Sequence, residues 1–206
     1  MIEFMQPADQ WPERRPPPGD ASEADLLRAF LESKRETFDL QIRYCDPRHL
    51  GQRFPRVSLS LSALAVRFTQ LEHRLFCEMW AGLDPDPRLP PEPLGPHDKE
   101  WYDTFIAGRD PLVFIERWRE AVDNSRALVG AMDDCGTRAS EDMAPVSLRW
   151  LMLTAIDDYS SFLGFTTLSA KPIPATGRYE FVPPGVEDQQ ESGQRPHPQL
   201  DLDLGF

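Results

Sequence analysis

The sequence is short of basic charge and contains no long apolar run. Its 206 residues carry 22 Lys and Arg against 34 Asp and Glu, a net charge of −12. This balance argues against nucleic-acid binding and against anionic membranes, because both need basic patches. No apolar stretch approaches about 18 residues, and the N-terminus lacks the apolar core of a signal peptide. We therefore expect a soluble, cytoplasmic protein with no nucleic-acid or membrane partner.

Cysteine is also scarce. The three cysteines, Cys45, Cys77 and Cys135, are an odd number without C-x-x-C spacing. This pattern favours reduced thiols over a disulfide scaffold or a zinc site. The chain has no glycine-rich phosphate loop, no GxSxG elbow and no Ser/His/Asp arrangement, so the familiar nucleotide-binding and serine-hydrolase motifs are missing.

No segment alternates with period two, so a β-sheet is not expected. Instead, apolar residues recur at helical spacing in four segments of roughly 20 residues. We predict that these helices begin near Ser22, Leu61, Asp110 and Ser147. Four amphipathic helices joined by a long connection between the second and third indicate an all-α four-helix bundle with a crossing loop.

The 21 prolines avoid the interiors of the helical segments. They concentrate at the two ends and in the crossing loop, Leu83–Gly108, where Trp101, Tyr102 and Phe105 suggest a short helix or lid. The C-terminal region is rich in Pro, Gln and acidic residues and is typical of disorder. We predict a Pro-rich arm over residues 1–20, the bundle over 21–170 and an acidic, Pro-rich tail over 171–206.

One carboxylate stands out in the last helix. Asp158 falls on the same face as the apolar residues around it, whereas Asp157 points elsewhere. A buried, unpaired carboxylate is costly, so Asp158 should have a cationic or hydrogen-bonding partner or carry a raised pKa. It can equally belong to a polar network that only fixes the register of the helices. The apolar residues of this face are Leu148, Leu151, Ala155, Phe162 and Phe165.

Three stretches resemble the DinB-like superfamily, and most closely its branch of mycothiol-dependent transferases. They are EADLLRAFLESKRETFDLQIRYCDPRHLGQR, SLSALAVRFTQLEHRLFCEMWAGLD and PVSLRWLMLTAIDDYSSFLGF, in the family's order and spacing. The resemblance implies a DinB-like four-helix bundle, often dimeric, so a homodimer is possible. It also implies a divalent metal that activates a small thiol or a bound substrate.

The resemblance places the family's metal ligands at Arg67 on the second helix and at Asp158 and Phe162 on the last. A further His that is common in the mycothiol branch falls at Phe165. Only Asp158 could bind a metal, because a guanidinium is a permanent cation and a phenyl ring has no donor atom. We therefore predict no metal and no cofactor, and we expect Arg67 to pair with Asp158 bidentately in the place of the metal.

We interpret this position as a small-molecule pocket. The favoured hypothesis is an enzyme that acts without metal on a small, largely apolar organic molecule, by isomerisation, cyclisation or detoxifying addition, in specialised metabolism. Asp158 and Arg67 would be catalytic. The alternatives are a non-catalytic small-molecule-binding or self-resistance protein and a mycothiol-type thiol S-transferase. The residues predicted to contact the substrate are Leu71, Thr154, Tyr159, Phe162 and Phe165.

Overall fold

The computed structural model describes residues 19–54, 59–89, 99–130, 132, 134–137 and 146–170. Within the helices, the side chains at positions 99, 165 and 167–170 are not described. All of these residues lie in the first of the two units into which the chain divides, Met1–Pro172. Residues 1–18 of the predicted arm (1–20) and the whole predicted tail (171–206) lie outside the described residues, so the predicted domain boundaries remain predictions.

The described part is helical and contains no β-strand. The prediction of an all-α, DinB-like fold is confirmed. Four of the helical segments are long, as the sequence indicates, and a fifth short helix lies in the crossing loop. The elements are α1 (Glu23–Arg43), a 3₁₀ turn (Pro47–His49), α2 (Leu61–Glu72) continued by a π-helix (His73–Trp80), α3 (Lys99–Ile106), α4 (Pro111–Val129) and α5 (Leu148–Ala170).

The helices begin where their capping residues predict. The Ser22 hydroxyl accepts a hydrogen bond from the amide of Asp25, and the Asp110 carboxylate accepts one from the amide of Leu112. Ser147 accepts one from the amide of Trp150 at the start of α5. Each cap satisfies an amide that has no partner inside the helix.

The second helix differs from its expected form. The sequence predicts one helix through Met79, but the α-helical hydrogen bonding ends at Glu72 and a π-helix follows. A π-helix has a wider turn, with hydrogen bonds from i to i+5. The wider turn brings three consecutive residues, Leu75, Phe76 and Cys77, into the core.

Pairing of the long helices builds the core. α2 packs mainly on α4, and α1 packs on α5. α1 and α5 run parallel, because Arg149 donates to Glu23 near their starts and Thr166 donates to Gln41 near their ends. No helix of the described part is long and apolar enough to cross a membrane.

A buried polar network ties the four long helices together. The Arg35 guanidinium of α1 donates from Nε and Nη2 to the two oxygens of Glu72, at 2.8 and 2.5 Å. The Tyr159 hydroxyl of α5 donates to Glu72 Oε1 at 2.9 Å, and the Trp118 indole of α4 donates to the Tyr159 oxygen at 2.8 Å. All four side chains are buried, and Glu72 is fully buried. Each helix therefore supplies one member.

Removing Arg35, the cation of this network, should lower the free energy of unfolding by a large amount. Arg35→Met leaves the Glu72 carboxylate buried without its counter-ion, and breaking a buried pair in this way costs about 3–5 kcal/mol. We expect urea denaturation to show this loss in the free energy of unfolding. Arg149→Met, which removes an exposed ion pair between α5 and Glu23 of α1, should leave the urea midpoint nearly unchanged. Equal effects of the two variants would contradict a central role for the network.

Candidate functional site

The Arg67–Asp158 ion pair lies between α2 and α5. Arg67 Nη2 donates to Asp158 Oδ1 at 2.6 Å, and the two side chains are only 16 % and 21 % exposed. Of the two outcomes expected for Asp158, a cationic partner or a raised pKa, the partner is therefore present. The bidentate geometry expected for the pair is wrong. A single hydrogen bond joins them, because only one terminal nitrogen of the guanidinium reaches the carboxylate.

The guanidinium of Arg67 also lies over an aromatic ring. Its central carbon is 4.5 Å from the centroid of the Phe162 ring, a favourable distance for a cation–π contact. Phe162 is one helical turn after Asp158, so both contacts come from the same face of α5. The three positions Arg67, Asp158 and Phe162 thus meet at one point.

The crossing loop completes the site. Tyr102 of α3 is buried, and its hydroxyl donates to the Gln70 side chain at 3.4 Å. Burial alone lowers the pKa of Arg67, but the Asp158 carboxylate and the Tyr102 hydroxyl outweigh it, so the pKa of Arg67 lies above its ordinary value. The short helix suggested by Trp101, Tyr102 and Phe105 therefore exists and contacts the site.

The other residues that the sequence predicts to contact the substrate differ in how accessible they are. Leu71 and Thr154 are half-buried, one on α2 and one on α5. Tyr159 is fully buried, and its hydroxyl belongs to the Glu72 network rather than to an accessible surface. Burial and the nearby Glu72 carboxylate raise the pKa of Tyr159 well above its ordinary value, while Arg35 opposes them. The side chain of Phe165 lies outside the described residues. A role of these four in substrate binding remains a prediction.

The sequence reasoning missed Tyr102 as a site residue and missed the Glu72 network beneath the site. A signal existed for the cation of that network. Arg35 is four residues after Leu31 and three before Phe38, both fully buried, so it lies in the centre of the apolar stripe of α1. The same reasoning that selected Asp158 selects Arg35.

The three buried thiols are not candidates for a nucleophile. Burial raises the pKa of Cys45 to about 12, helped by the Asp46 carboxylate. It also raises the pKa of Cys77 and Cys135. A thiol with a raised pKa is protonated at neutral pH and reacts slowly. All three are free and buried, which agrees with the expectation of reduced packing residues.

Three cavities bounded by described residues lie away from the Arg67–Asp158 pair. The largest of three has a volume of about 290 Å³, opens to solvent, and is lined by the start of α2, the end of α3 and the start of α4. The other two hold about 20 and 10 Å³, close to the size of one water molecule. None of these three includes Asp158 in its lining. The ion pair is therefore reached from its partly exposed side and not through one of these cavities.

The fold and the site define a DinB-like helical protein with an ion pair where the family resemblance implies a metal. A family model described as mycothiol-S-transferase matches residues 26–166. The chain belongs to the mycothiol S-transferase family. Comparison with curated proteins and with solved structures gave no match.

The residues at this position do not fit the metal that the family resemblance implies. The Arg67 guanidinium lies against both Asp158 and the Phe162 ring, so a permanent cation is held where a divalent ion would be. Across the described part of the chain, no three His, Cys, Asp or Glu side chains come together in a way that could hold a metal ion.

Restoring two ligands should restore metal binding. The double variant Arg67→His, Phe162→His places two imidazoles beside Asp158, and two imidazoles with one carboxylate are a common zinc set. We expect about one zinc ion per chain after dialysis, measured by elemental analysis, whereas the natural protein should retain far less. The matched control Arg67→Met, Phe162→Leu removes the same groups without adding donors and should bind none. Failure of the first variant to bind zinc would contradict the convergence of the three positions.

Proposed function

We propose that the Arg67–Asp158 pair is the catalytic centre of an enzyme that acts without metal on a small, largely apolar organic molecule. The observation that carries this proposal is the 2.6 Å hydrogen bond between a half-buried guanidinium and a half-buried carboxylate. The two groups come from different helices and meet beside an aromatic ring. Such convergence of charged groups on a partly desolvated position is typical of acid–base sites.

Asp158 can move a proton while Arg67 stabilises negative charge. In an isomerisation, the carboxylate takes a proton from one atom of the substrate and returns it to another. The negative charge that develops on a substrate oxygen in between is stabilised by the N–H groups of Arg67. This sequence uses no co-reactant, and the same proton transfer can start a ring closure or an addition. Specialised metabolism is the setting that we propose for such a reaction.

The test of this proposal is the isosteric variant Asp158→Asn. Substrates can be found by incubating the EDTA-treated protein with an extract of small molecules and following their conversion by mass spectrometry. We expect Asp158→Asn to lower turnover by roughly 10²–10⁴-fold while the substrate still binds, because only the proton acceptor is removed.

The exposed neighbour provides the control. Asp157→Asn changes the same charge on the solvent side of α5 and should retain full turnover. Turnover that survives Asp158→Asn would contradict the proposal. Binding without turnover in the natural protein would favour the alternative of a non-catalytic binding or self-resistance protein.

The family match favours a second candidate, transfer of a thiol such as mycothiol to an electrophile. In this reaction Asp158 would accept the thiol proton, and Arg67 would balance the thiolate in the role that a metal has elsewhere. The sulfur would then form a bond to an electrophilic carbon, whose leaving group departs with the bonding electrons. Arg67 and Asp158 thus have defined tasks in either candidate.

Thiol transfer predicts consumption of thiol in the presence of a chelator. With N-acetylcysteine and 1-chloro-2,4-dinitrobenzene, the EDTA-treated protein should accelerate the absorbance increase of the thioether product. Arg67→Met should shift the pH dependence of the rate to higher pH, because the thiolate loses its counter-ion. This candidate would be ruled out if the acceleration required added zinc or nickel, or if no thiol gave an acceleration.

A further inference from the structure

The cavity of about 290 Å³ takes no part in the proposed function. It opens to solvent where the loop before α2, the end of α3 and the start of α4 meet. Its volume is at the lower end of the range for small-molecule sites. The apolar part of its lining consists of Ile106, Ala107, Pro111 and Phe114. This surface can contact the apolar body of a small organic molecule.

Two charged side chains line the same cavity, and they differ in their partners. The carboxylate of Asp103 already has a counter-ion, because it forms an ion pair with Arg53, which is not part of the lining. No carboxylate of the described residues forms an ion pair with Arg109. The Asp110 carboxylate lies outside the lining and accepts the amide of Leu112 at 3.0 Å. The lining therefore carries one positive charge that is not compensated.

An aromatic stack orients the Arg109 guanidinium. Its central carbon lies 4.5 Å from the centroid of the Phe105 ring, and Trp101 stacks on the same ring at 5.5 Å. Contact with a ring covers one face of the guanidinium, whereas its N–H donors lie in the plane and point outward from the edge. These donors match the two oxygens of a carboxylate in spacing and direction.

We propose that this cavity binds a small organic carboxylate. The carboxylate of the ligand pairs with Arg109, and its apolar body packs on Ile106 and Phe114. A cationic ligand is repelled by Arg109 and meets an Asp103 that is already paired, while a neutral ligand gains only the apolar contacts. The site is separate from the Arg67–Asp158 pair, so the inference does not depend on the proposed function.

Three probes with one ring and a similar side arm, but different charge, test the proposal. They are phenylacetate, phenylacetamide and 2-phenylethylammonium. Binding to the full-length protein can be measured by protein-observed NMR at about 0.15 M salt, where charges more than about 8 Å away are screened. We expect phenylacetate to bind about tenfold more tightly than phenylacetamide and the cation to bind most weakly. The largest shifts should fall on the amides of Ala107, Gly108 and Arg109.

Variants of the lining separate the charge from the cavity. Arg109 is exposed, so Arg109→Met should fold, lower the affinity for phenylacetate to that for phenylacetamide and leave the amide unaffected. Ala107→Leu narrows the cavity and should weaken the binding of both probes. Arg149→Met, the matched control, removes a half-exposed guanidinium elsewhere and should change neither affinity.

Three results would overturn this inference. One is a natural protein that does not bind phenylacetate or binds all three probes equally. Another is an equal loss of phenylacetate binding in Arg109→Met and Arg149→Met, which would reduce the effect to overall charge. The third is binding that survives Arg109→Met but is lost in Arg67→Met. That result would place the probe at the ion pair and leave the proposed function standing.

Discussion

The buried pair of Arg35 and Glu72 is the interaction on which the rest of the structure depends. Both side chains are removed from water, and such a pair is tolerable only when its hydrogen bonds are complete. Tyr159 and Trp118 complete them, so the carboxylate at the centre receives donors from α1 and α5, and the phenol oxygen receives one from α4. A rotation of any of these helices would leave a buried charge unsatisfied. The network therefore fixes helix orientation in a way that apolar contacts alone do not.

The network also constrains the candidate site, through the residues that follow Arg67 in α2 and Asp158 in α5. Phe68 of α2 and Tyr159 of α5 stack with ring centroids 4.1 Å apart. Arg67 precedes the first and Asp158 precedes the second, so the ion pair lies directly beside the stacked rings. Because Tyr159 is held at its hydroxyl and on its face, the direction of Asp158 is fixed by the core. The orientation of the partly exposed Arg67–Asp158 pair therefore depends on the buried Arg35–Glu72 network.

The sequence predicts the helices and the position of Asp158, because both follow from apolar periodicity within one segment. The approach of Arg67 to Asp158 could not follow from periodicity, since it depends on how α2 and α5 face each other; the family resemblance supplied it. The bidentate form of the pair was wrong, because it depends on side-chain geometry. Glu72 was missed although it lies four residues after Phe68 and three before Leu75, both buried, so its place on the apolar face of α2 could be found from the sequence in the same way as that of Arg35.

A guanidinium at the position where the family resemblance implies a metal limits the chemistry that we propose for this site. A divalent ion has open coordination positions and lowers the pKa of a bound water or thiol, whereas a guanidinium offers only directed N–H donors. Arg67 can stabilise charge that forms on a ligand, but it cannot act as a Lewis acid. The remaining proton acceptor is Asp158, whose second oxygen faces no protein donor among the described residues. Under the proposed function, chemistry at this position therefore consists of proton transfer and charge stabilisation.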